Sequence, residues 1–102
     1  MIHVIAIITS KPGRREKVLE AFRANMPAVH AEQGCIAYAP AVDCAGVLPI
    51  QTDFGPDTFV VIEIWESAAA LQAHAVAPHM LAYAARVRDD IDSRVIHVLQ
   101  PV

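Results

Sequence analysis

The side chains best suited to chemistry lie mostly in the second half of the chain. His74 and His79 are imidazoles, whose ordinary titration range spans neutral pH, so they are the natural proton acceptors; of the two, His74 is the better base. Glu63 and Trp65 stand two apart in an apolar run, and in a strand they share one face. A carboxylate among apolar neighbours is pushed toward its neutral form, which suits it to acid–base work or to anchoring a substrate. Trp65 offers a flat wall for an aromatic ligand. Tyr38 and Tyr83 can each donate a hydrogen bond to an oxyanion.

Each residue also has a plainer reading. His74 fits equally well as a core-edge histidine bonded to backbone, and His79 as a solvent-facing one near a helix N-terminus, where a positive charge is disfavoured. Glu63 fits an ion pair with an arginine at an edge or interface, and Trp65 a large core residue at the end of a sheet. His74 and His79 are five apart across a break at Pro78, which is not the i, i+4 spacing of a helical metal site. Cys35 and Cys44 show neither metal-ligand spacing nor a C-x-x-C pattern, so they read as reduced thiols. No metal site is expected.

A chain of 102 residues makes one domain, spanning residues 1–102, with a modest core. Yet 55% of its residues are hydrophobic. In a small chain such an excess goes to a membrane, a ligand cavity or a subunit interface. The apolar runs, such as Val4–Ile8 and Phe59–Ile62, are strand-length, whereas a spanning helix needs about 20 apolar residues. No basic segment precedes the first apolar run, so the expectation is a cytoplasmic protein without a membrane partner. A net charge of −3 with no basic stripe argues against nucleic acid.

The elements that must position these residues follow from periodicity. Residues 2–9 read as a strand apolar on both faces. Val18, Phe22, Met26 and Val29 form one stripe of a helix over 14–32, and Pro27 inside it predicts a kink or an early end. Strands are expected at 35–43, 58–66 and 94–100, with a long loop at 44–57. Ser67 caps a helical piece over 68–76, and Pro78 separates it from a second piece at 79–91, striped by Met80, Ala84, Val87 and Ile91. The order β-α-β-β-α-β is the ferredoxin-like α+β arrangement, a four-stranded antiparallel sheet with helices on one face. The bare face of such a sheet is most simply covered by a second copy, giving an isologous homodimer. In the expected sheet order His3 and His97 come near each other across strands one and four. An all-apolar Val60-Ile62-Ile64 face would ordinarily be the dry core, while the face with Glu63 and Trp65 suits a cavity under the helices. Periodicity alone leaves both assignments open.

Several stretches resemble a known family. They are Thr9-Ser10-Lys11-Pro12-Gly13-Arg14-Arg15-Glu16 after strand one, Glu32-Gln33-Gly34-Cys35-Ile36-Ala37-Tyr38 after helix one, and Glu63-Ile64-Trp65-Glu66-Ser67 followed by Ala70-Leu71, His74 and Pro78-His79-Met80. In order and spacing they are similar to the antibiotic biosynthesis monooxygenase domain, including its quinol monooxygenase type. The resemblance implies a dimeric α+β barrel. For catalytic members it implies oxidation of aromatic polyketides or quinols by O₂ without metal, flavin or haem. It places a strand-three tryptophan, an asparagine, a tyrosine and an arginine around the substrate. Trp65 matches the first, Val61 stands at the asparagine position, and Tyr83 and Arg86 are candidates for the others, with His79 and Met80 beside them. Haem-degrading members use an asparagine in strand one and a tryptophan and histidine in the second helical region; here strand one has no asparagine, and His74 and Ala84 occupy the other two positions.

Such a reaction needs a proton acceptor, a donor for the developing anion and an apolar cavity. The expectation is an oxygenase with His74, Glu63 and Tyr38 as the catalytic set, no cofactor, and a small aromatic ligand. The alternatives are a cofactor-free isomerase or lyase of the same fold, using His74 and Glu63 to move protons, and a dimeric binding protein without chemistry.

Overall fold

A computed structural model describes residues 1–102. Strand β1 (Ile2–Ser10) is built from β-branched residues and forms a central strand of the sheet. The order is β2-β3-β1-β4, with β2 at Cys35–Ala41, β3 at Thr58–Trp65 and β4 at Ile91–Leu99, and every pairing is antiparallel. Helices α1 (Arg15–His30), α2 (Ala68–Ala75) and α3 (Pro78–Val87) supply the helical part. This is the ferredoxin-like α+β fold expected from the strand and helix order.

Pairing of Val4 with Glu63, Ala6 with Val61 and Ile8 with Phe59 puts these residues on one face, all of them buried together with Trp65. Val18, Leu19, Ala21, Phe22 and Val29 of α1 join them in the core. The opposite face carries Ile5, Ile7, Val60, Ile62, Ile64, Val95 and Leu99, and Ile62 there is 47% exposed. The structure thereby decides what periodicity left open: the Glu63 and Trp65 face lies under the helices, and the Val60-Ile62-Ile64 face is the open one. The helices cover the face punctuated by Glu63, and the Trp65 indole satisfies that carboxylate inside the fold. His3 pairs with Leu99, and His97 with Ile5, so the two histidines are diagonal neighbours on the open face rather than partners.

Three boundaries differ from expectation. Helix α1 runs through Pro27 to His30, and Ala31 N still donates to the Pro27 carbonyl at 3.1 Å. Arg23 and Pro27 are both exposed, so water can take up the carbonyl that proline leaves without a partner. Helix α3 stops at Val87, a 3₁₀ turn spans Arg88–Asp90, and Ile91 opens β4 instead of ending a helix. The turn is pinned to α1 because buried Asp90 accepts from Arg14 Nη1 at 2.7 Å and faces Lys17 Nζ at 3.3 Å. Finally, β2 ends at Ala41, so the long connection begins at 42. The Asp43 carboxylate accepts from the backbone of Phe54 and Gly55, and Gln51 Oε1 from that of Val47 and Leu48. That frame leaves Val47, Leu48, Ile50 and Phe54 exposed.

Candidate active site

Between the helix-facing side of the sheet and helices α2 and α3 lies a cavity of about 670 Å³. Its walls are mainly apolar, with Val4, Ala6, Val61, Leu71 and Met80 among them, a composition usual for sites that hold a small aromatic ligand. His74, Glu63 and Tyr38 also line it. All three are buried, at 6% exposure each.

Local structure brings them together. Glu63 and Tyr38 are opposed across the β2–β3 ladder. His74 reaches the same spot from the last turn of α2, whose start is set by Ser67 Oγ accepting from Ala70 N at 3.1 Å. The His74 ring packs on Trp65 at 4.6 Å between centroids and edge-on to Tyr38 at 5.4 Å. Phe22 stacks on the other side of Tyr38 at 5.1 Å. Trp65 Nε1 donates to Glu63 Oε1 at 2.9 Å.

Burial pushes the Glu63 carboxyl up, while the indole hydrogen bond and the nearby His74 pull part of that back. Burial also raises the Tyr38 phenol, with Glu63 adding to it, so Tyr38 stays protonated and can only donate to an anion. Tyr83, also on the cavity wall, is pushed up to about 12 by burial, against a lowering influence from Arg94. The Cys35 thiol is raised by burial and then by Glu32 and Glu63, which makes it a poor nucleophile. Both cysteines are free.

Glu32, which sequence reasoning did not select, sits behind His74. Its Oε2 lies 2.7 Å from His74 Nδ1 and 3.3 Å from His79 Nε2, the latter without the alignment of a hydrogen bond. Asn25 Nδ2 meets the other ring nitrogen of His79 at 3.2 Å. These groups do not form a set able to hold a metal ion.

A family model described as antibiotic biosynthesis monooxygenase matches residues 1–86. The chain belongs to the antibiotic biosynthesis monooxygenase family. It is 46% identical over 103 aligned positions to the probable quinol monooxygenase YgiN of Escherichia coli K12, covering 99% of this chain and 98% of that one. Among solved structures it is similar to PA3566 of Pseudomonas aeruginosa, with a TM-score of 0.82 and 27% identity over 99% of this chain and 93% of the other. Rv0793 of Mycobacterium tuberculosis gives a TM-score of 0.80 at 26% identity, over 99% and 94%.

Within this family fold the residues expected from sequence separate into three groups. His74, Glu63, Tyr38, Met80 and Tyr83 line the cavity. Trp65 is fully buried behind Glu63 and His74, so it backs the site rather than forming its wall. His79 and Arg86 line a separate groove of about 200 Å³ between α1 and α3, along with Asn25 and the other side of Tyr83. The cavity's arginines are instead Arg88 and Arg94, from the 3₁₀ turn and β4. Helical periodicity that extends α3 to residue 91 hides this, because it places Arg88 inside a helix and Ile91 ahead of the strand.

Proposed function

We propose that the chain is a quinol monooxygenase of the antibiotic biosynthesis monooxygenase family, working as a homodimer in the cytoplasm. One observation carries the reading: an apolar cavity with His74, Tyr38 and Glu63 gathered on its wall, beside the 46% identity to YgiN. His74 takes the proton of a quinol O–H, and the Tyr38 hydroxyl donates to the oxyanion that forms. Val61, at the position where related oxygenases carry asparagine, adds no donor, so that task rests on Tyr38. The apolar walls give the anion few hydrogen-bond donors, which leaves it electron-rich. It passes an electron to O₂, and the radical pair closes to a C–O bond at a ring carbon that carried hydrogen. The hydroperoxide loses water, with Glu63 as proton donor to the departing oxygen. The balance is quinol plus O₂ to hydroxyquinone plus water.

The homodimer reading is supported by the open sheet face, where Ile62, Val95 and Leu99 are exposed and Ile5, Ile7 and Ile64 are only partly buried. Strand β4 is exposed along nearly its whole length. A second copy on this face gives a closed, isologous assembly. Light scattering at micromolar concentration should return a dimer mass, and a monomer would contradict it. Two free cysteines, as in reducing compartments, support the cytoplasm, and no helix is long and apolar enough to cross a membrane.

The activity test uses a naphthoquinol and ¹⁸O₂. The wild type should consume O₂ and place one labelled atom in the product, and His74→Ala should lower kcat by about 10²- to 10⁴-fold. Turnover that persists anaerobically, or a fully active His74→Ala, overturns the reading.

A further inference from the structure

Glu32 lies outside both the cavity and the regular elements, in the turn between α1 and β2. Its position is costly on its own terms. It falls just past the end of α1, where the unpaired carbonyls repel an anion. Its side chain is only 16% exposed, so it is also largely withdrawn from water. Two imidazoles, from α2 and α3, converge on its Oε2. An anion in such a place is accounted for by what it holds.

The hydrogen-bond geometry says what that is. An ionised carboxylate only accepts, so the 2.7 Å contact puts the ring hydrogen of His74 on Nδ1. The Nε2 lone pair is then free, and no protein group bonds it. On the other side the Asn25 amide N–H donates to His79 Nδ1, so a neutral His79 carries its hydrogen on Nε2, 3.3 Å from the same carboxylate oxygen but not aligned to bond it. Asn25 thus sets the His79 ring, whose Nε2 lies near Glu32 without bonding it, while Trp65 and Tyr38 pack on the His74 ring from the sheet side.

We propose that Glu32 is a positioning residue of the active site: it selects the Nδ1–H form of His74, turns Nε2 to the cavity, and compensates the charge the ring gains when it takes a proton. Glu32 does not line the cavity and touches no substrate, so it acts through His74 alone. The proposal rests on His74 being the base in the oxygenase reading. The charged and titratable groups facing His74 are Glu32 from the turn, Glu63 and Tyr38 from the sheet, and His79 from α3, with Cys35 and Tyr83 close by. Tyr38, Cys35 and Tyr83 are all raised and stay protonated through neutral pH, so the acidic groups that act on the ring are Glu32, through its contact with Nδ1, and Glu63 once it has given up its proton.

The test compares Glu32→Gln, Glu32→Ala and Glu63→Gln in the full-length protein, by O₂ uptake with a naphthoquinol and by ¹⁵N NMR titration of the ligand-free histidines. Glutamine keeps an acceptor oxygen but loses the charge. Glu32→Gln should lower kcat about 10-fold and Glu32→Ala about 100-fold, with KM within about 2-fold, as for an interaction felt in the transition state. In Glu32→Gln the acid limb of the kcat/KM profile and the His74 titration midpoint should both move to lower pH, since the imidazolium has lost its counter-charge. A Glu32→Gln protein with wild-type kcat, acid limb and His74 titration overturns the proposal. So does a matched loss in KM and kcat with no change in the His74 titration. A fully active His74→Ala defeats the oxygenase reading instead, and the NMR titration still decides whether Glu32 governs His74.

Discussion

Helix α2 carries His74, and one glycine decides how close that helix comes to the turn that carries Glu32. Gly34 has φ +85°, and a Cβ placed on it would lie 2.6 Å from Ala70 Cβ and 3.5 Å from Glu66 Cβ. Normal carbon–carbon contact begins near about 3.5 Å, so the two segments would have to part by about 1 Å. They are not free to do so, because Glu66 N donates to the Gly34 carbonyl at 2.8 Å and Ser67 holds Ala70 N. Gly34→Ala therefore carries a left-handed backbone cost of roughly 1–2 kcal/mol and an overpacking cost of about 1–3 kcal/mol. The sum, about 2–5 kcal/mol, should lower Tm by at least about 8 °C in a domain of this size. The two costs separate in a double-mutant cycle. Ala70→Gly alone should cost about 1 kcal/mol as a glycine inside a helix. In that background Gly34→Ala meets no methyl group, so only the backbone cost remains, and the cycle should show about 1–3 kcal/mol of favourable coupling. Thermal and urea melts followed by circular dichroism measure it. Additivity within about 0.5 kcal/mol would refute the contact as the cause. A Tm drop of only a degree or two would refute the whole argument for a close approach.

Other substitutions probe the cavity and its frame. Glu63 has a folded pKa above its ordinary value, so its contribution to stability is present at low pH and is lost as pH rises through the raised value. Glu63→Gln keeps an acceptor for Trp65, and its Tm should match the wild type near pH 4 and exceed it near pH 8; a pH-independent difference would contradict burial as the cause. Asp90 behaves oppositely, being held low by Arg14 and Lys17, so Asp90→Asn should lower Tm at pH 7 and lose that effect in acid below the ordinary carboxyl range. Phe22→Ala removes a ring in contact with Tyr38, Phe59 and Tyr83, and should cost about 3–5 kcal/mol by chemical denaturation. Tyr38→Phe removes a hydroxyl with no partner in the protein, so Tm should hold while kcat with a naphthoquinol falls about 10-fold or more; an unchanged kcat would remove Tyr38 from the anion site.

Strand and helix order could be read from the sequence because burial imposes a period, two for β3 and 3.6 for α1. The same signal was silent on which side of the sheet the helices cover. Val60, Ile62 and Ile64 are more uniformly apolar than Phe59, Val61, Glu63 and Trp65, yet the second set is the buried one. Alternation reports that two faces differ, and a sheet apolar on both sides gives each face a claim to the core. The end of α3 failed for a related reason. Ile91 continues the stripe of Met80, Ala84 and Val87 at helical spacing, and it packs against the core from the start of β4 instead. An apolar residue that must be buried either way cannot report which element buries it.

Site residues obey a different logic. His74, Glu63 and Tyr38 could be singled out because each is a polar group in an apolar context, and the fold then placed all three on one cavity wall. Glu32 had no such context, since it follows the last turn of α1 among polar and small residues, and His74 and His79 are 42 and 47 positions away in sequence. Yet one local signal was present. A carboxylate just beyond a helix C-terminus opposes the helix dipole, so it should be there only if cations or N–H donors from elsewhere reach it. In this chain the groups that reach Glu32 are two histidines, which come from α2 and α3, either side of the break at Pro78. That break, which excluded them as a metal pair by spacing, is what lets them approach one carboxylate from two helices.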